Sequence, residues 1–199
     1  MTGADPDDRQ GCGGPIVAAR TALLVMHYQT DILDLFPAVA PRLLADTRSL
    51  VEAARAKGVA VHFCRLAFSA DYCEISPKNM NGLILARSGR YVDNGIAPEL
   101  APRPEESEIV ARRANVFVGT DLQLRLSARG IDTLILAGIA STGVVLSTLA
   151  YASDADFRLY TVKDCCFDPD AVVHERLFET AFATRSVVLS LPAALAALA

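Results

Sequence analysis

Lysine is nearly absent from this chain of 199 residues. Of its 19 basic residues only Lys57, Lys78 and Lys163 are lysine, and the other sixteen are arginine. The excess of Arg fits a GC-rich bacterial genome. No basic stripe is evident and the formal net charge is −4, which argues against nucleic acid as a partner. Hydrophobic residues make up 52% of the chain, yet no apolar run reaches the ~18 residues that a membrane span requires. The runs are short and punctuated, as in buried strands. The N-terminus MTGADPDDRQGCGG lacks the basic and apolar regions of a signal peptide. The reading is a cytoplasmic protein with a flexible tail over residues 1–19 and one domain over residues 20–199. Cysteines number five. An odd count, without a C-x-x-C pair or a secretory leader, argues against a disulfide framework. The three histidines, His27, His62 and His174, are not spaced with Cys or carboxylates as zinc ligands are. The sequence predicts no metal and no other cofactor.

What is present alternates. TALLVMH (21–27), VAVHFCR (59–65), EIVAR (108–112), DTLILAG (132–138), FRLYTVKD (157–164) and SVVLSL (186–191) read as strands. Residues 40–57 carry Leu43, Leu44, Leu50, Val51 and Ala54 at helical spacing and stop at Lys57-Gly58. Helices are also expected over 119–130 with Thr120 or Gly119 as N-cap, over 142–154, and over 169–183 with Asp168 as N-cap. Residues 69–107 are rich in Pro, Gly and Asn and read as irregular. Strands alternating with helices imply βαβ units. The expected fold is α/β, a single three-layer doubly wound domain with a mostly parallel central sheet. In such folds ligands bind beyond the carboxyl ends of the strands, here at residues 27–29, 65–68, 112–117 and 139–144.

Three segments in order carry a resemblance. ALLVMHYQ is similar to A-L-L-V-I-D-x-Q, ARRANVFVGTDL to K-x-R-x-x-A-F-x-G-T-x-L, and GIASTGVVLST to G-V-A-T-x-x-C-V-x-x-T. Together with DADFRLYTVKDCCFDPDAVVHERL they make residues 20–190 resemble the isochorismatase-like, or cysteine hydrolase, family. Members of that family generally use an Asp, a Lys and a Cys nucleophile. The resemblance places His27 at the Asp position, Ala111 at the Lys position and Val144 at the Cys position. Valine cannot form an acyl-enzyme. The resemblance further implies a non-proline cis peptide at Ile139-Ala140, with backbone N–H groups near Ala140 and Val144 forming an oxyanion site. It also implies a homo-oligomer.

His27 is read as a general acid or base, since an imidazole near its ordinary pKa of ~6.5 serves as either; the alternative is a core histidine bonded to backbone. Tyr28, Arg112, Phe117 and the turn Ile139, Ala140, Ser141, Thr142, Gly143 and Val144 are read as substrate-binding. Arg112 or Arg113 is expected to hold a substrate carboxylate, or else to pair with Glu105, Glu106 or Glu108. Gln29 supports local architecture, and Ser141 or Thr142 caps the following helix. Cys165 and Cys166 behave as small apolar residues. His62 and Cys64 share a strand face without a third ligand. Three uses of the site are open. One is an enzyme acting on a small unsaturated or carboxylate-bearing metabolite by acid–base chemistry, as in relatives that cleave isochorismate-type enol ethers. The others are a binding protein without turnover and a structural subunit. The segment SADYCEISPKNMNGLILARSGRYVDNG covers a pocket or an interface.

Overall fold

A computed structural model describes residues 14–199. Most of the tail expected over residues 1–19 lies outside the described residues. The rest of it is held against the body, where the Tyr160 hydroxyl donates to Gly14 O at 2.5 Å and the Thr21 hydroxyl donates to Val17 O at 2.8 Å.

Six strands form one sheet: β1 (Thr21–Met26), β2 (Ala60–Leu66), β3 (Ser107–Ala111), β4 (Thr133–Ile139), β5 (Arg158–Phe167) and β6 (Val187–Leu189). Their order is β3-β2-β1-β4-β5-β6, and all five pairings are parallel. A parallel sheet is covered on both faces, so its central strands are apolar throughout rather than alternating. Every residue of β1 and of β4 is buried. Leu23 and Val25 of β1 enter one core with Leu43, Leu50, Val51 and Ala54 of α2 (Ala40–Lys57). Ala22, Leu24 and Met26 enter the other. There they join Leu122 and Leu126 on one helix, Leu149 and Ala152 on a second, and Phe178 and Phe182. The result is three layers, as expected.

The element reading holds where apolar periodicity is strong. α2 ends at Gly58, whose φ of 81° closes the helix in the left-handed conformation that glycine adopts without strain. Several corrections follow. A short helix, α1 (Thr30–Leu33), follows β1. The irregular stretch contains α3 (Met80–Ser88), capped by the Asn79 side chain accepting from Gly82 N. The helix expected over 119–130 is only α4 (Leu122–Ala128), with Asp121 at its N-cap. The expected 142–154 helix begins with a π-helical turn, Ser141–Val145, before α5 (Leu146–Asp154). Asp170, not Asp168, caps α6 (Ala171–Leu177) by accepting from Val172 and Val173 N. β5 runs on through Cys165 and Cys166, and α7 (Leu191–Leu198) follows β6 directly.

One buried ion pair ties the layers. Arg55 on α2 donates from Nε and Nη2 to Glu106 at 2.7 Å, with side-chain exposures of 5% and 8%. The bidentate geometry offsets part of the cost of taking both charges out of water.

Candidate functional site

The strand order reverses between β1 and β4. β2 and β3 step outward on one side, β5 and β6 on the other. Loops leaving the ends of β1 and β4 therefore diverge to opposite faces, and the crevice between them is where doubly wound proteins bind ligands. His27 is the first residue beyond β1, and Ala140 the first beyond β4.

His27 leaves the strand with φ 62°, a left-handed conformation unusual for a side-chain-bearing residue. Its N–H donates to Cys64 O at 2.6 Å, fixing it beside β2. The residue is 4% exposed, and its Nε2 is buried with no hydrogen-bond partner. Burial lowers its pKa to about 4. The expectation of an imidazole near its ordinary pKa is thus corrected: desolvation keeps this ring neutral at pH 7. The next two residues are structural. The Tyr28 hydroxyl donates to Cys165 O at 3.0 Å from a fully buried position. Gln29 donates from Nε2 to Leu66 O at 2.9 Å and accepts from Leu66 N at 2.7 Å, supporting the turn as the resemblance implies.

The peptide between Ile139 and Ala140 is cis. The turn that follows folds back tightly. A Cβ on Gly138 would lie 3.0 Å from Val145 Cγ2 and 3.2 Å from Val144 Cγ1, so a larger residue would need these side chains to give by a few tenths of an ångström. Val144 is 1% exposed and belongs to the core shared with Met26 and Cys64. Several donors of the turn are engaged internally. Gly143 and Val145 N–H donate to Ala140 O, and Thr142 donates to Asp168 from both N (2.8 Å) and hydroxyl (2.6 Å).

Ser141 and Thr142 do not cap the helix. Thr142 is bound to Asp168, and Ser141 Oγ lies 2.9 Å from His174 Nδ1 on α6. Ser141 is fully buried, with its hydroxyl engaged by the His174 ring. His174, Asp168 and Glu74 were not singled out as site neighbours in the sequence. Only a pairing across 33 residues brings His174 to Ser141, and no local pattern announces it.

Arg112 and Arg113 meet a partner other than the three glutamates expected. Arg112 Nε donates to Glu74 Oε1 at 3.0 Å. Arg113 donates to Arg112 O at 2.5 Å and to Glu74 O at 2.8 Å. Glu106 and Glu108 are held by Arg55 and Arg65. Both arginines thus clamp the segment around Glu74 over the end of β3. Arg112 Nη1 and Asn94 Oδ1 nevertheless remain buried without partners. Asn94 contacts Leu66 O, and Leu66 is the strand partner of Ala111. Three unpartnered buried polar atoms, on His27, Asn94 and Arg112, therefore sit on segments gathered at the carboxyl ends of β1, β2 and β3. Phe117 stacks on Tyr151 with ring centroids 4.8 Å apart and packs in the core.

The doubly wound parallel fold, with its switch point between β1 and β4, defines a class of protein. The particular family follows from comparison. The isochorismatase domain model matches residues 21–192. The chain is 32% identical over 167 residues to the uncharacterized isochorismatase family protein YecD of Escherichia coli, covering 79% of this chain and 85% of that protein. It is 29% identical over 159 residues to the ureidoacrylate amidohydrolase RutB of Stutzerimonas stutzeri, covering 66% and 63%. It is also 32% identical over 100 residues to the phenazine biosynthesis protein PhzD1 of Pseudomonas aeruginosa, covering 49% and 47%. An isochorismatase family protein from Burkholderia thailandensis superposes with a TM-score of 0.80 at 23% identity, covering 92% of this chain and 98% of that one. The chain belongs to the isochorismatase family. Among the described residues no helix is long and apolar enough to cross a membrane.

Proposed function

We propose that this protein acts on a small, carboxylate-bearing unsaturated metabolite by acid–base chemistry without a covalent intermediate, with His27 as the proton carrier. The observation that carries the reading is the His27 Nε2, buried at the switch point without a protein partner. Buried polar atoms in native proteins are almost always satisfied, and an exception calls for a ligand or a water. The apolar Val144 at the position assigned to the nucleophile removes the thiolate route. An imidazolium of depressed pKa is a stronger acid than an ordinary one, which suits protonation of an enol ether carbon. Water then adds to the resulting oxocarbenium ion and the alkoxy group leaves. Backbone N–H groups at Ala140 and Val144 are the donors for a substrate oxygen, and Arg112 Nη1 is the donor for a carboxylate. The relatives include an amidohydrolase, RutB, whose chemistry does not transfer to this chain without the thiol.

A second reading is a binding protein without turnover. The closed setting of Val144 and the neutral state of His27 favour it. His27→Asn separates the two, because asparagine tolerates the left-handed backbone but carries no proton at neutral pH. In the enzyme reading the variant loses at least ~10²-fold in turnover of enol-ether carboxylates such as isochorismate while still binding them. If the wild type binds these compounds and turns none over, the binding-protein reading stands.

A further inference from the structure

Asn94 lies outside every helix and strand, yet the chain around it is tied to the backbone that follows His27. Ile96 pairs with Gln29 in an antiparallel bridge. Thr30 N donates to Gly95 O at 3.1 Å, and Ala97 N donates to Tyr28 O at 2.9 Å. The Asn94 side chain reaches the end of β2, where Nδ2 donates to Leu66 O at 3.4 Å. A carbonyl oxygen only accepts, so the group turned toward it is the NH2. Oδ1 is then the unpartnered buried atom.

Arg112 reaches the same end of β2 from the neighbouring strand. It follows Ala111, the strand partner of Leu66, and Ala111 O accepts from Ala67 N at 3.1 Å. Its Nε donates to Glu74 Oε1 at 3.0 Å, while Nη1 is buried without a partner. Asn94 Oδ1 is an acceptor and Arg112 Nη1 a charged donor. They are chemical complements on adjoining segments, but no hydrogen bond joins them. Folding alone leaves both unsatisfied, which in native proteins points to something else that satisfies them. A molecule that does so brings an anionic acceptor to Arg112 and a neutral donor to Asn94. A carboxylate supplies the first. A hydroxyl or an N–H group supplies the second.

We infer that Asn94 determines specificity, its Oδ1 accepting a hydrogen bond from a hydroxyl or N–H of the substrate while Arg112 Nη1 holds the carboxylate. The inference rests on the reading of the switch point as the substrate site, and it narrows the substrate class to unsaturated carboxylates that also carry a hydrogen-bond donor. An analogue without the donor keeps the contact to Arg112 but leaves a buried acceptor unmet. A site built around a polar contact rejects such an analogue more strongly than an apolar wall rejects a change of size.

Isothermal titration calorimetry of the full chain with benzoate and with its hydroxy, amino and fluoro isomers tests this. Fluorine adds bulk in place of the hydroxyl without a donor. The best hydroxy or amino isomer should bind at least about tenfold more tightly than benzoate and than the matching fluoro isomer. Comparing the hydroxy with the amino isomers shows which donor the site takes. Asn94→Leu should bring that ratio to within about twofold of one while benzoate still binds. Arg112→Gln should weaken every probe at least about tenfold and keep the ratio. The wild-type comparison needs no variant, so it stands even if Asn94→Leu does not fold. The imidazole resonances, followed by NMR in the same titrations, separate this inference from the reading beneath it. Probes that shift the His27 resonance but show no preference for a donor overturn the role of Asn94 and leave the switch-point site in place. So does a preference that survives Asn94→Leu. If no probe shifts the His27 resonance, both fall.

Discussion

His27 and His62 are both held neutral by burial, and each has its pKa lowered to about 4. Their surroundings differ. His62 lies inside the sheet on β2, with neither ring nitrogen partnered, whereas His27 is the first residue beyond β1, at the switch point of the strand order. The unfolded chain binds protons on both near pH 6.5 and the folded chain only near 4. Stability contributed by the neutral rings is thus full above the unfolded pKa and is lost as pH falls from about 6.5 to about 4. The loss is of the order of 3 kcal/mol per histidine. Urea denaturation at pH 7 and pH 5 should show about 2 kcal/mol of this loss per histidine, and His62→Leu should show about half of the total; an unchanged pH dependence in that variant would remove His62 from the account. Catalysis runs the other way. The reactive imidazolium fraction grows about tenfold per pH unit as pH falls toward about 4, so kcat/KM should rise by that factor for each pH unit between pH 7 and pH 5. That is about a hundredfold over the two pH units, and a profile flat over that range would contradict His27 as the acid. The position of His27 was legible in the sequence because it follows an apolar strand at a recognisable spacing. Its depressed pKa was not, since desolvation depends on what packs around the ring.

The decisive element is the turn after β4, held from outside the crevice by Asp168 and His174. Asp168 is buried and accepts from both Thr142 groups. Removing it orphans a buried N–H and a hydroxyl. Asp168→Ala should cost about 2 kcal/mol and speed amide exchange across residues 140–146, measured by denaturation and hydrogen-exchange mass spectrometry. Normal exchange there would show that the turn holds itself. Between elements, Glu106→Ala leaves the Arg55 guanidinium buried without its main partner and should cost about 3 kcal/mol in the same denaturation assay. Elements with a strong apolar period, such as β1, α2 and β4, were readable almost to the residue. α3 was not, because it is a single short helix inside a segment dense in Pro, Gly and Asn. α7 was missed because Ser190 caps it directly at the end of β6, leaving no loop to mark the change. The caps expected at Ser141 and Thr142 failed because tertiary partners, His174 and Asp168, compete for those hydroxyls.

Across the whole molecule, alternation of strands and helices implied a parallel sheet, but strand order is set by crossovers that no local pattern encodes. That order places β1 beside β4 and so brings residues over a hundred positions apart to one crevice. It makes the switch point, rather than any single motif, the reason to look at His27 and the 139–144 turn together. The chain contains three histidines, which permits a direct reading of the site in solution. Uniformly labelled protein would be titrated with isochorismate and with ureidoacrylate while the imidazole resonances are followed by NMR. A saturable shift confined to His27, with His62 and His174 unmoved, is the expected result. A ligand that binds while leaving the His27 resonance in place would show that the crevice between β1 and β4 is not where this protein meets its substrate.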